Sequence, residues 1–221
     1  MSVTLQISDG VGLITLDDGK ANAVSHALLD ELEPALDEAE ATADAVVLAG
    51  RPGKFCAGFD LAVMQGDDRA EMSRLLNRGG RLAHRLYGYP RPLVAAATGH
   101  ALALGAILLL ACDTRVGARG AFKLGLNETA IGMALPVFGT ELAKARLDPA
   151  LLTASVIQAR LYDPEAAVAA GYLDVVTEPE RVVEEATRIA SQLAMLSGPA
   201  YAATKRTLRQ DSLDVMAASL A

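Results

Sequence analysis

The stretch that most constrains this chain runs from Pro92 to Asp113, PLVAAATGHALALGAILLLACD. It is the most apolar run in the sequence, interrupted only by His100 and small polar residues. Its length is close to the ~20 residues a helix needs to cross a bilayer, so a membrane span has to be weighed. Thr98-Gly99-His100 argues against one, because a glycine-containing break divides the run. Leu93 to Ala97 then reads as a short buried strand, and Ala103 to Cys112 as a helix with no polar face. A helix that is apolar all round belongs inside a core. Its first turn carries backbone N–H groups without intrahelical acceptors, a place where developing negative charge is stabilised.

With 221 residues the chain suits one domain and at most a small appendage. Hydrophobic residues make up 52%, enough for a sizeable core without staples. Aromatics are only 4%, so Ala, Val and Leu have to fill that core. A net charge of −7 argues against nucleic acid as a general partner. Cys56 and Cys112 lie far apart, and His26, His84 and His100 show no metal-ligand spacing, so no metal site is expected. The opening MSVTLQISDG lacks a basic region followed by an apolar core, so no leader is expected and the expected location is cytoplasmic. No internal repeat or low-complexity tract is visible.

Val3 to Ile7 and Val11 to Leu16 alternate at period two around Asp9-Gly10, which predicts a hairpin. Ser25 is placed to cap a helix running to about Ala39, with Leu28, Leu29, Leu32 and Leu36 on one stripe. Ala45 to Leu48 reads as a buried strand, Arg51 to Asp60 as a glycine-rich loop, and Arg69 to Tyr87 as a helix weakened by Gly79-Gly80. Beyond the opening stretch, Arg115 to Gly117 and Ala121 to Leu124 are strand candidates, and Asn127 to Ile131 a helical turn. Helices are expected over Gly139 to Arg146, Pro149 to Ala159, after Asp163-Pro164, over Pro179 to Leu196, and from Pro199 onward, with a strand at Leu173 to Val176. Strands alternating with helices, followed by helices alone, predict an α/β core with a helical C-terminal part.

Five pieces occur in a telling order. They are Lys20-Ala-Asn-Ala23, Gly53-Lys-Phe-Cys-Ala-Gly-Phe-Asp-Leu61, the run from Gly99 to Asp113, Asn127-Glu-Thr-Ala-Ile-Gly132 followed by Pro136, and Asp163-Pro-Glu with Gly171 to Val176. Together they resemble the crotonase superfamily, the enoyl-CoA hydratases and isomerases, over nearly the whole chain. The resemblance implies a crotonase-like α/β fold, a ClpP/crotonase spiral of ββα units. It also implies a core over residues 1–196 and a short helical segment over 197–221 that serves oligomerisation or covers the pocket, shorter than in typical relatives.

The family's chemistry gathers negative charge on a thioester oxygen as the α-carbon becomes enolate-like, and two backbone N–H groups stabilise it. By resemblance these belong to Phe59, whose side chain reads as a core anchor, and to Leu104, where most relatives carry a run of glycines. Hydratases of the family typically use two glutamates. One is matched by Glu128, the general base; the other falls on Ile107, which can neither take nor give a proton. Moving a double bond along an acyl chain needs one base, whereas adding water is easier with two, so the departure favours isomerase over hydratase. The resemblance further implies contacts to the CoA substrate from Lys20, Ala21, Ala23, Ala57, Gly58, Asp60 and Leu61, and an acyl pocket lined by Ile107, Met133 and Pro136. Coenzyme A is then part of the substrate, no separate cofactor is expected, and a homotrimer or hexamer follows, with neither nucleic acid nor membrane as partner.

Read alone, Lys20 and Lys54 are solvated cations, His100 a turn residue, Asp113 a partner of backbone groups at a helix end, and Cys56 a packed thiol. The competing function is an acyl-CoA-binding or regulatory protein on the same fold without catalysis.

Overall fold

The computed structural model describes residues 2–220. Strands β1 (Val3–Ser8) and β2 (Val11–Leu16) form the expected antiparallel hairpin, with Val3 opposite Leu16. Asp9 and Gly10 make its turn at φ of 50° and 77°, the left-handed pair a two-residue hairpin loop requires. Helix α1 (His26–Thr42) starts where Ser25 Oγ accepts from Leu28 N at 3.2 Å.

Three strand–strand–helix units follow. The first is β3 (Ala45–Ala49), β4 (Gly53–Cys56) and, after the short α2 (Leu61–Met64), helix α3 (Arg69–Tyr87). The second is β5 (Leu93–Ala97), β6 (Gly99–Leu102) and α4 (Leu104–Ala111). The third is β7 (Thr114–Ala118), β8 (Leu124–Gly125) and, beyond a single turn at Thr129–Ile131, α5 (Val137–Arg146). The first strand of each unit joins a six-stranded sheet of order β1-β2-β3-β5-β7-β9, and the second joins a three-stranded sheet of order β4-β6-β8. Between successive units all pairings are parallel. The chain closes with α6 (Pro164–Ala170), β9 (Val175–Thr177), α7 (Val182–Ala194) and α8 (Gly198–Ala218). This is the spiral of ββα units that the resemblance implies. The units share no visible sequence repeat, because apolar pattern rather than residue identity specifies each one.

Four local expectations change. Gly99-His100 is the first half of β6 rather than a mere break, and the Arg51–Asp60 loop contains β4. These two strands meet at glycines: a Cβ on Gly99 would lie 2.0 Å from the Gly53 carbonyl carbon, so glycine lets the backbones touch. The expected strand at Ala121–Leu124 shrinks to Leu124–Gly125, and the expected helix at Pro149–Ala159 is a 3₁₀ turn (Pro149–Leu151) followed by a π turn (Thr153–Ile157), beyond which Ala159 takes φ 52°. In both places the local pattern fits the expected element, but tertiary packing sets where it stops.

β3 and β5 are buried on both faces. Val46, Leu48 and Ala95 face one core, shared with α1, α3 and α4, while Val47, Ala49 and Ala96 face another, closed by Val182, Ala186 and Ala190 of α7. A strand covered on both sides reads as a continuous apolar run, and this is why β5 in the opening stretch lacks alternation. All eight residues of α4 are buried. Its helix start is strained, since Ala103 holds φ 51° with a side chain that cannot cap. Strain of this kind costs about 1–3 kcal/mol. Burial of Leu104, Leu108, Leu109 and Leu110, each about 1.5–3 kcal/mol, outweighs it. No helix among the described residues is long and apolar enough to cross a membrane.

Candidate active site

The turn after β4 passes across the start of α4. Gly58 holds φ 100°, and a Cβ on it would come within 3.0 Å of Ala103 Cβ and 3.5 Å of Leu104 N. From the helix side, a Cβ on Gly105 would lie 2.1 Å from the Cys56 carbonyl oxygen. Glycine at both positions lets two backbone segments approach more closely than side chains allow. Phe59 and Leu104, the two residues expected to donate N–H groups, are thereby brought onto adjoining segments.

Their amides are left open. Val24 bridges Phe59 in parallel register: Val24 N donates to Gly58 O at 2.8 Å, and Asp60 N donates to Val24 O at 3.0 Å. Pairing through the flanking residues turns the Phe59 N–H to the opposite side. Leu104 N–H stands in the first turn of α4, where no intrahelical acceptor exists. Neither amide has an acceptor among the described residues. The Leu104 side chain and the Phe59 ring both pack against Gly79 of α3. A Cβ on Gly79 would sit 2.4 Å from the ring and 3.0 Å from Leu104 Cδ2.

Phe59 borders a cavity of about 350 Å³. Ala57, Leu61 and Met64 line it from the turn and α2, Leu76 from α3, Leu102, Ala103 and Ile107 from the strand–helix junction, and Asn127, Glu128, Met133 and Pro136 from the segment after β8. The structure therefore gathers Phe59, Ile107, Glu128, Met133 and Pro136 in one place, as the motifs imply. No residue of α8 lines the cavity among the described residues.

Glu128 is only 6% exposed. Its carbonyl accepts from Ile131 N and Met133 N, both at 3.0 Å, so the backbone is fixed while the side chain projects from the turn. Its Oε2 is buried without a hydrogen-bond partner. Burial pushes the carboxyl up to about 7, which favours the neutral form below neutrality and leaves a carboxylate more basic than an exposed one above it. Glu128 is the one ionisable side chain on the cavity lining among the described residues. Ile107, buried on α4, offers no second carboxylate.

The segment expected to meet CoA is joined to this turn. Ala57 N donates to Ala21 O at 3.1 Å, Ala23 precedes the Val24 bridge, and Asp60 caps α2 by accepting from Ala62 N at 2.9 Å. Lys20 is exposed, and its carbonyl accepts from Arg51 Nη1 at 2.9 Å. Of the expected CoA contacts, Ala57 and Leu61 also line the cavity, whereas Lys20, Ala21, Ala23, Gly58 and Asp60 do not.

Several positions carry weight that sequence reading passed over. Asn22 is fully buried at φ 52°, and its side chain ties the loop down by donating to Leu16 O at 2.8 Å and Phe55 O at 3.1 Å while accepting from Asp18 N at 3.0 Å. Its signal was an Asn within the turn-rich DDGKANA segment. Met64, Leu76 and Leu102 read as ordinary core positions, and nothing local marks them as cavity walls. His100 lies outside the cavity, its Nδ1 accepting from Lys123 N at 3.0 Å; burial, with Lys54 and Lys123 nearby, holds its pKa down. Asp113 accepts from Leu93 N at 2.9 Å, and burial pushes the Cys56 thiol up to about 12, as suits a packed thiol.

Comparison with known proteins agrees with this geometry. A sequence-family profile described as enoyl-CoA hydratase/isomerase matches residues 6–221. The 2,3-dehydroadipyl-CoA hydratase of Escherichia coli K12 is 32% identical, over 95% of this chain and 82% of its own. The crystal structure of the enoyl-CoA hydratase EchA3 from Mycobacterium ulcerans Agy99 superposes at a TM-score of 0.96 and 37% identity, covering 100% of this chain and 96% of that one. Human mitochondrial delta3-delta2-enoyl-CoA isomerase superposes at 0.95 and 26% identity, covering 100% and 89%. A whole-length profile match and a shared spiral of ββα units lead to one conclusion: this chain belongs to the enoyl-CoA hydratase/isomerase family and has the crotonase fold.

Proposed function

We propose that the protein moves a double bond along the acyl chain of an enoyl-CoA, with Glu128 as its single base. The observation that carries this reading is a cavity whose lining holds one carboxylate among the described residues; the family resemblance, which matches Ile107 to the other glutamate of hydratases, supports it. The thioester oxygen sits between the N–H groups of Phe59 and Leu104. Glu128, ionised, takes a proton from C2 of a 3-enoyl thioester. The negative charge spreads onto the thioester oxygen, and the same carboxyl returns the proton to C4, leaving the 2-enoyl product. Each oxyanion donor contributes on the order of 2.7–4 kcal/mol to the transition state. A base with a pKa near neutrality is matched to this proton transfer. The loop over Lys20 to Ala23 and the turn over Ala57 to Leu61 hold the CoA part. The relative named as a delta3-delta2 isomerase supports the reading.

The relatives named hydratases favour a second reading, in which Glu128 alone orders a water for addition. An apolar Ile107 cannot hold the other side of that water, so hydration is expected to be the slower reaction. Replacing Glu128 by Gln and assaying 3-enoyl-CoA isomerisation tests the assignment. Turnover is expected to fall about 10²–10⁴-fold, and unchanged turnover would overturn it. Water addition to crotonyl-CoA that outpaces isomerisation would favour the hydratase. Acyl-CoA binding without any turnover would mark a binding protein. The resemblance also supports a homotrimer or hexamer, and sedimentation of a monomer alone would count against that.

A further inference from the structure

A carboxylate at the far end of an acyl chain needs a cation or several donors where it comes to rest. Among the described residues no Lys, Arg or His lines the cavity. Its wall beyond Phe59 consists of Met64, Leu76, Ile107 and Met133, and its neutral polar groups are Asn127 and Gln65. The one charge it can carry is that of Glu128, which is already buried. A second negative group in the same space is desolvated without compensation and lies near the first. A methyl-terminated chain meets the opposite situation, since each buried methylene improves binding about fourfold.

We propose that this pocket selects uncharged, methyl-terminated acyl chains and excludes acyl groups whose distal end is a carboxylate. The inference rests on the reading above, in which Phe59 and Leu104 hold the thioester oxygen and so direct the chain into the cavity. Within the family the fold alone does not fix this choice; the residues of this chain's cavity wall do.

Saturated CoA thioesters bind without isomerising, so calorimetric binding of hexanoyl-CoA and adipoyl-CoA compares equal chain lengths with and without the distal carboxylate. Hexanoyl-CoA is expected to bind about 100-fold more tightly or better. Gln65→Arg places a guanidinium at the cavity wall from an exposed position, where folding is not at risk. It is expected to narrow the ratio at least tenfold. Adipoyl-CoA binding within threefold of hexanoyl-CoA, or a ratio that the arginine leaves unchanged, would overturn the inference. If 3-hexenoyl-CoA still isomerises in a Glu128-dependent way, that failure belongs to the selectivity alone. If neither thioester binds, the proposed function falls along with it.

Discussion

Glu128 shows what a single buried carboxyl costs a protein and what it provides. In the unfolded chain it titrates near 4.5; in the fold, burial holds it protonated up to about 7. Below 4.5 both states carry the proton and the group is neutral to stability. As pH rises from 4.5 to 7, the unfolded chain releases its proton while the folded one keeps it, so folding stability is lost across that window. Above 7 the loss levels off at about 3 kcal/mol. Urea unfolding of wild type and Glu128→Gln at pH 4.5 and about pH 8 checks this: the difference should move by about 3 kcal/mol in favour of the variant. Equal curves at both pH values would mean the carboxyl is not buried as described. The motif made Glu128 legible as a candidate, but its pKa comes from walls contributed by several distant segments.

At the level of elements, α3 is the instructive case. Its span, Arg69 to Tyr87, is the one the sequence predicts, and the structure adds the cap at its start, Asp68 Oδ1 accepting from Ala70 N and Glu71 N. The glycine pair in its middle reads locally as a weakness. The fold supplies the reason: Gly79 makes room for the Phe59 ring and Leu104, and Gly80 for Phe138 and Leu220. Gly79→Ala is worth about 0.8–1 kcal/mol in helix propensity, yet it drives a methyl into the ring, and overpacking costs about 1–3 kcal/mol. The variant is expected to be no more stable than wild type and, on the proposed function, to lose tenfold or more in isomerisation rate, because displacing Phe59 moves a proposed oxyanion donor. Thermal unfolding together with kcat checks both halves; a stabilised variant with full activity would show that the ring has room to spare.

Across the whole molecule, the closing helix is held by charge as well as by apolar packing. α8 lies against α3 and α5, with its Leu213 and Met216, and Leu220 just beyond its end, in the main core. Beside them, Asp113 at the end of α4 meets Lys205 Nζ at 2.6 Å and Arg209 Nη1 at 2.9 Å, all less than a tenth exposed. Tyr201 donates to the same carboxylate at 2.8 Å, and Lys205 Nζ also donates to Tyr89 O and Arg91 O at 2.8 and 2.9 Å. Asp113→Asn leaves two buried cations without their anion, a loss expected at about 3–5 kcal/mol. In a chain of this size that lowers Tm by roughly 10 °C. Differential scanning calorimetry reads it directly, and a shift under 2 °C would mean that the carbonyl acceptors suffice.

Local sequence determined the hairpin, the capped helices, the buried strands and the order of motifs, because each rests on contacts within a few residues: alternation, an Asp-Gly turn, a Ser or Asp cap. It also determined that Ile107 cannot be a base. Only the tertiary structure decided that β4, β6 and β8 form a second sheet, that Gly58 and Gly105 press two backbones together, that Gly79 receives Phe59 and Leu104, and that Glu128 loses its water. These depend on surfaces meeting from segments tens of residues apart, and no local pattern encodes what stands on the other side.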